Sequence, residues 1–235
     1  MFVIFLLGLL SVYYPQITGD IVEVGNYERE VVFVNNVIDG DTIELEGGER
    51  VRLLGVNTPE RGKFYYDEAK NFLKEIEDRE VEILRDVEDV DKYGRKLRYV
   101  FYEDRLLNVE ILERGLGTNF MIEGLKYENK FRGGEDFAHK NKIGLWAKSE
   151  DVCAVCIKLI ELDIFEEFFI LENECIFDCS LEGWIVKDDA NHFFKLEDLD
   201  GGEKKIFNST KVWNNEGDRF FMRDGEGGLV LFRRY

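Results

Sequence analysis

Three short stretches hold the residues whose types and spacing could perform chemistry: Asp39-Gly40-Asp41-Thr42, Arg52 to Glu60, and Asp91 to Arg95. Carboxylate and amide oxygens in the first two suit a hard cation such as Ca²⁺. The arginines can make paired hydrogen bonds to two phosphate oxygens and stay charged at any working pH. Glu60 is a further carboxylate that can activate water. Together they predict hydrolysis of a phosphate ester, because cations must stabilise the charge that builds around phosphorus.

The elements that must position these residues predict a small β-barrel. A β-branched run stops at the Asp39-Gly40-Asp41 turn, and Gly47-Gly48 begins a hairpin. Three strands would thus bring Asp41, Arg52 and the loop at 57–60 to one end of the barrel. Strands are expected at 31–38, 42–45, 50–56, 81–84 and 97–102, and helices from 67, at 108–114 and at 135–142.

Residues 30–148 resemble the thermonuclease, or staphylococcal-nuclease-like, family. The resemblance is carried by Val37 to Thr42, by Arg52-Leu53-Leu54-Gly55-Val56-Asn57-Thr58-Pro59-Glu60 and by Asp91-Lys92-Tyr93-Gly94-Arg95, in that order. It implies an OB-fold β-barrel, whose strand face and loops suit single-stranded nucleic acid. It also implies a calcium-dependent nuclease whose substrate is DNA, RNA or both.

The resemblance assigns catalytic and metal-binding roles to individual residues. Arg52 and Arg95 would clamp the phosphate, and Glu60 would act as general base or orient water. The metal ligands would be Asp41, the Thr58 carbonyl and Asn57, with Asp39 as a further candidate. The family has aspartate where Asn57 stands. Because an amide oxygen brings no charge, we expect the calcium site to be weaker or to draw on a substrate phosphate or on Asp39.

The resemblance also implies a substrate-binding surface. Lys92 and Tyr93 match positions that contact the terminal phosphate in the family. The paired tyrosines that stack on the base are absent, and Phe120 is the candidate replacement. The resemblance therefore implies the phosphate chemistry and leaves the base preference open.

The charge balance indicates that substrate capture is local. The chain has 235 residues and a formal net charge of -18. Such a chain has no global basic field to hold nucleic acid. We therefore expect the Arg52 and Arg95 cluster, with lysines such as Lys63 and Lys92, to attract the substrate.

The second half, residues 151–235, predicts an immunoglobulin-like β-sandwich, so that the whole chain is mainly β with helices. The pieces 168–173, 181–188 and 212–218 resemble the lamin-tail domain, which implies a binding or targeting role with an unknown ligand. Trp184 and Trp213 are expected in its core. Strands are expected at 157–162, 167–171, 184–186, 192–196, 219–222 and 229–232.

All 4 cysteines, Cys153, Cys156, Cys175 and Cys179, fall at the start of this half. Their spacing comes near a four-thiolate zinc pattern. Export would favour disulfides instead. Disulfides, a zinc site and free buried thiols are the three alternatives, and disulfides are preferred.

The amino terminus predicts export. Met1 to Tyr14 contains no charged residue, and the run is shorter than the roughly 20 residues of a comfortable membrane span. Residues 1–19 are interpreted as a signal peptide or a weak membrane anchor, and 20–29 as a linker. A buried strand is the alternative. The protein is thus expected to be secreted or at the cell surface.

Three functions follow from these patterns. The preferred one is an exported calcium-dependent nuclease, with a nuclease domain at 30–150 and a targeting domain at 151–235. A second is a non-catalytic nucleic-acid-binding module that has lost activity through Asn57. A third is a surface-binding protein driven by its second half.

Overall fold

The computed structural model describes residues 28–120, 124–190, 192–209, 212–214 and 217–235. The expected export segment at 1–19 and most of the expected linker lie outside the described residues. Arg29, assigned to the linker, instead contacts the barrel, with Nη1 2.6 Å from Glu82 and the guanidinium over the Phe101 ring. In the described part of the chain, no helix has the length and apolar character to cross a membrane.

The first half forms a closed five-stranded barrel. Its sheet runs β3-β2-β1-β5-β6-β7 with antiparallel neighbours, and parallel pairing of β3 with β6 closes five of these strands. This topology fits the expected OB-fold. The elements are β1 (Glu30–Val37), β2 (Thr42–Leu45), β3 (Arg50–Leu53), β4 (Val56–Asn57), α1 (Tyr66–Leu73), β5 (Arg79–Leu84), β6 (Lys96–Tyr102), β7 (Arg105–Leu106), α2 (Leu107–Glu113), β8 (Thr118–Asn119) and α3 (Glu128–Asn141).

The turn that carries Asp41 lies unusually close to its neighbours. A Cβ at Gly40 would lie 2.6 Å from Ala69 Cβ on α1 and 2.8 Å from Thr58 Oγ1. Only glycine allows this approach, because any side chain would push the turn away. Pairing of β2 with β3 places Thr42 opposite Arg52. The first two motifs are thus held side by side.

The second half consists of two antiparallel sheets that share one core. One sheet has the order β13-β10-β9 and the other β12-β11-β14-β15. Trp184 and Trp213 are buried in the shared core, as expected. The strands are β9 (Ile157–Asp163), β10 (Phe168–Asn173), β11 (Ile185–Lys187), β12 (Phe193–Lys195), β13 (Lys204–Asn208), β14 (Arg219–Arg223) and β15 (Leu229–Arg234).

The two halves also share buried contacts that the sequence patterns did not predict. Ala138 and Trp146 of the first half form one apolar cluster with Phe221 and Leu229 of the second. Leu229 N donates to Ala147 O at 2.8 Å, so the segment after α3 pairs with β15. The halves therefore stabilise each other across a buried interface.

Candidate active site

Asp41 lies at the centre of the candidate site. Its Oδ2 accepts from the Thr58 backbone N–H at 3.1 Å and the Thr58 hydroxyl at 3.2 Å. Its Oδ1 accepts from the Thr42 hydroxyl at 3.0 Å. Arg52 Nη2 lies 3.4 Å from Oδ2. This buried carboxylate therefore ties the Asp39–Thr42 turn to the loop that carries Glu60.

Backbone carbonyls fix the orientation of Arg52. Its Nη1 donates to Val56 O at 2.6 Å and to Leu53 O at 3.1 Å. Its Nη2 reaches Asn57 Oδ1 at 3.3 Å. These neutral acceptors and the Asp41 carboxylate, 3.4 Å from Nη2, together fix the direction of the guanidinium, which stays charged at any working pH.

Arg95 is positioned by the turn in which it lies. Its Nε lies 2.7 Å from Asp91 Oδ2, while Asp91 Oδ1 accepts from the backbone N–H groups of Tyr93 and Arg95. Burial opposes ionisation of Asp91, but these N–H donors and the guanidinium lower its pKa below the ordinary value. Arg95 Nη1 also donates to Thr42 Oγ1 at 3.3 Å. Arg52 thus lies beside Asp41, and Arg95 contacts the neighbouring Thr42.

Glu60 is exposed and faces the same groove as Arg95. This groove of about 590 Å³ is also lined by Arg50, Tyr93 and Lys96. A phosphate in the groove would meet an arginine and a carboxylate together. Such an arrangement can hold a phosphate while a carboxylate takes a proton from water.

The candidate metal ligands form an all-oxygen set. Asp39 Oδ1 accepts from Asp41 N at 3.0 Å, and the pKa of Asp39 is raised by burial and then by the charge of Asp41. Two carboxylates that repel each other suit a hard cation between them. Among the described residues, no three His, Cys, Asp or Glu side chains form a metal-binding group. The Asn57 amide and the Thr58 carbonyl are the other candidate oxygen ligands predicted from the sequence.

Comparison with known proteins places this site in a family. The model for staphylococcal nuclease homologues matches residues 50–148. The thermonuclease of Staphylococcus intermedius is 36% identical over 130 residues, which are 51% of this chain and 77% of that protein. The chain belongs to the staphylococcal nuclease family. It is a nuclease, and its substrate is nucleic acid.

Two further relatives agree with this assignment. The thermonuclease of Staphylococcus hyicus is 29% identical over 152 residues, or 59% of this chain and 90% of that protein. Endonuclease YncB of Bacillus subtilis is 32% identical over 131 residues, or 50% of this chain and 62% of that protein. The family match ends at residue 148, so it assigns nothing to the second half of this nuclease.

The expected substrate-binding residues of the nuclease lie on two different surfaces. Tyr93 is 73% exposed in the groove, and Lys92 Nζ lies 5.1 Å from the centre of its ring. Phe120 is half exposed, but it lines a cleft between the two halves of the nuclease, which Arg219 also lines. The structure therefore places Tyr93 beside Arg95 and Glu60, whereas Phe120 lies outside that groove.

The second half contributes groups to the site that no motif spacing could have indicated. Asn57 Nδ2 donates to the backbone carbonyl of Asp189 at 3.2 Å. Lys187 and Arg223 line a cavity that Asn57 and Glu60 also line. These contacts join residues more than a hundred positions apart, and the local patterns around them show only strands and turns.

The cysteines of the nuclease lie in two pairs. Cys153 is bonded to Cys179 and Cys156 to Cys175, with Cα–Cα distances of 5.8 and 5.3 Å. Both distances fall within the range of protein disulfides. The two pairs tie the start of β9 to the loop after β10. Disulfides in the purified protein remain a prediction.

Proposed function

We propose that this nuclease is exported and hydrolyses phosphodiester bonds of single-stranded DNA, RNA or both in a calcium-dependent reaction. The observation that carries the proposal is the convergence of two arginines on the Asp41–Thr42 pair. Glu60 shares a groove with Arg95. A binding module needs cations, but it does not need a carboxylate beside the phosphate that they hold.

Each side chain has a distinct role in this proposal. Arg52 and Arg95 bind the non-bridging oxygens of the scissile phosphate and stabilise the charge that develops on them. Glu60 orients the attacking water and accepts its proton. Asp91 acts on Arg95 by fixing the direction of its guanidinium.

Calcium completes the proposed site. Asp41, Asn57 and the Thr58 carbonyl would hold the ion, with Asp39 as a further ligand, and the ion would polarise the phosphate when bound. Support comes from the all-oxygen donor set and from the repulsion between the two carboxylates. Because Asn57 is neutral and also accepts from Arg52, we propose that the site binds Ca²⁺ more weakly than one with a second aspartate ligand.

The test is hydrolysis of labelled single-stranded DNA and RNA by the purified protein. We expect cleavage of at least one substrate in millimolar Ca²⁺ and its loss in excess chelator. Equal cleavage with and without the chelator would contradict the calcium requirement. No cleavage of either substrate would contradict the proposed hydrolysis.

We further propose that the second half is an immunoglobulin-like sandwich related to the lamin-tail domain, and that it targets the exported nuclease to an unidentified ligand. The shared core around Trp184 and Trp213 supports the sandwich, and the cysteine pairs are consistent with an oxidising compartment. Full-length protein made in an exporting host should reach the medium or the cell surface. Retention of all the protein in the cytosol would contradict export.

A further inference from the structure

A cavity lies between the active-site loop and the sheet β12-β11-β14 of the second half. It has a volume of about 230 Å³, and Asn57 and Glu60 line it on the nuclease side. This volume is below that of pockets for drug-sized ligands, so it suits a phosphate group better than a whole nucleotide. The cavity is thus a candidate subsite beside the scissile bond.

One face of the second-half sheet supplies the opposite wall. Register places Lys187 opposite Phe221 and Phe193, and Ile185 opposite Arg223. Residues directly opposite each other in a sheet point to the same side, so these side chains share one face. Val186 and Met222 point the other way, into the core of the second half. This sheet therefore presents two cations towards the active-site loop.

Among the residues that the structure describes, neither cation is paired with a carboxylate. Within the described part of the chain, no carboxylate oxygen lies within 4.0 Å of Lys187 Nζ or of the Arg223 guanidinium. Arg223 is 5% exposed, and its Nη1 donates to the carbonyl of Gly227 at 3.0 Å. Asp224, the neighbouring acid, accepts from N–H groups of its own turn.

Burial makes these charges costly. The pKa of Lys187 is lowered to about 8, first by burial and then by the charge of Arg223. Burial likewise lowers the pKa of Arg223 to about 10. Buried charges in proteins are normally paired. Lys187 is partly exposed in the cavity and Arg223 is buried, so these two neighbouring cations beside the loop of Glu60 suit an anionic ligand.

We propose that Lys187 and Arg223 bind a phosphodiester group of the substrate strand next to the scissile one. The second half would then form part of the substrate groove, in addition to any targeting role. This inference rests on the proposed nuclease function, because Glu60 lines both the cavity and the groove of Arg95. Lys63, whose Nζ lies 3.8 Å from the centre of the Phe193 ring, adds a third positive charge at the wall.

The test compares Lys187→Gln with Lys195→Gln in the full-length protein. Lys195 is exposed on β12, so its replacement changes the net charge equally without touching the cavity. Binding of a fluorescent single-stranded octanucleotide is measured by anisotropy in excess chelator, where cleavage is not required. Lys187→Gln should weaken binding about tenfold, as for loss of a charge-assisted contact. It should also reduce the dependence of log K on log salt by about 0.7.

Two more measurements separate charge from fold. Lys187→Arg should retain wild-type affinity within about twofold, which a purely packing role would not predict. Inorganic phosphate should raise the melting temperature of the wild type more than that of Lys187→Gln. Equal octanucleotide affinity in the wild type and Lys187→Gln would overturn the proposal that the cavity binds the substrate strand. If phosphate still stabilised the protein in that case, the cavity would be a site for free phosphate only, and the proposal would be overturned all the same. Failure of the proposed hydrolysis would appear separately, as a wild type that binds the octanucleotide in chelator and does not cleave it in Ca²⁺.

Discussion

Replacement of Arg219 by methionine should destabilise the protein by about 3 kcal/mol, because this side chain pairs with the buried Glu135 of the first half and with Asp189 of the second. Its Nη1 lies 2.6 Å from Glu135 Oε1, its Nη2 donates to Asn119 O at 2.9 Å, and its Nε contacts the carboxylate of Asp189. The Arg219 and Glu135 side chains are 5% and 4% exposed. Methionine would leave Glu135 without its main cation and almost without water.

The magnitude follows from what remains around Glu135. Breaking a buried ion pair by removing one partner typically costs about 3–5 kcal/mol. We expect the lower end, because Glu135 Oε1 still accepts from Asn119 N at 2.8 Å and Oε2 lies 3.5 Å from Arg234 Nη2. Arg234→Met is the matched control: it removes a positive charge from the same carboxylate, but its side chain is 56% exposed. The control should lose less than about 1 kcal/mol.

Urea unfolding, followed by tryptophan fluorescence and circular dichroism, measures both variants. The double variant Arg219→Met with Glu135→Leu should recover much of the loss, because replacing both charged partners avoids an unpaired buried acid. Equal losses in Arg219→Met and Arg234→Met would refute the reasoning. So would a loss below 1 kcal/mol in Arg219→Met at neutral pH, because the buried network would then contribute little to joining the halves.

Asn57→Asp should tighten Ca²⁺ binding in titration calorimetry, since a second carboxylate adds charge to the site; equal or weaker affinity would mean that the ion is held elsewhere. Protein from an exporting host should contain two disulfides, seen as four fewer hydrogens by non-reducing mass analysis, and stoichiometric zinc with four free thiols would contradict this. Burial and the charge of Arg223 lower the pKa of Lys187 to about 8, while Asp189 and Asp188 oppose the shift. The Lys187 ammonium group therefore loses its proton at a lower pH in the folded protein than in the unfolded chain. Stability of the wild type relative to Lys187→Gln should therefore rise by roughly 1–3 kcal/mol between pH 7 and 10, and a constant difference in urea unfolding would exclude the shift.

The barrel could largely be predicted from sequence because its signals are local. The run from 31 and the Asp39–Asp41 turn correspond to β1 and the loop after it, and 42–45 matches β2. The prediction of a strand at 50–56 was wrong at its carboxyl end, because β3 stops at Leu53. Gly55 has a φ of 76° and packs against Phe131, so the chain turns there before β4 begins. A contact with a distant helix decided this boundary.

The sequence patterns predicted one helix too short and missed one strand, because few positions in these segments are buried. The helix expected at 135–142 begins earlier, at Glu128. The sequence pattern missed its first turn because that turn is polar and only Phe131 there is fully buried. Strand β13 was not predicted. Phe207 is its one buried residue, so alternation of apolar and polar residues gives little signal.

The candidate site divides in the same way. The family resemblance pointed to Arg52, Glu60 and Arg95, because each lies in a motif whose order can be read along the chain, and their roles stay predictions. Lys187 and Arg223 could not be selected, because they lie on strands whose partners in space belong to the other half. The interpretation of 30–150 and 151–235 as functionally separable domains stays a prediction. The shared cluster around Trp146 indicates that truncation would remove buried contacts as well as the second half.

The most direct test of the nuclease site is the single-turnover cleavage rate of a labelled single strand at saturating enzyme and Ca²⁺. Glu60→Gln and Arg95→Gln should each slow cleavage by about a hundredfold or more, since loss of one positioned group at a phosphoryl transition state costs about 3 kcal/mol. Arg50→Gln is the matched control: Arg50 lines the same groove, but it is exposed and lies 3.8 Å from Glu44. Its rate should stay within a few-fold of the wild type. Near-wild-type rates in Glu60→Gln and Arg95→Gln would contradict the assignment of this groove as the catalytic site.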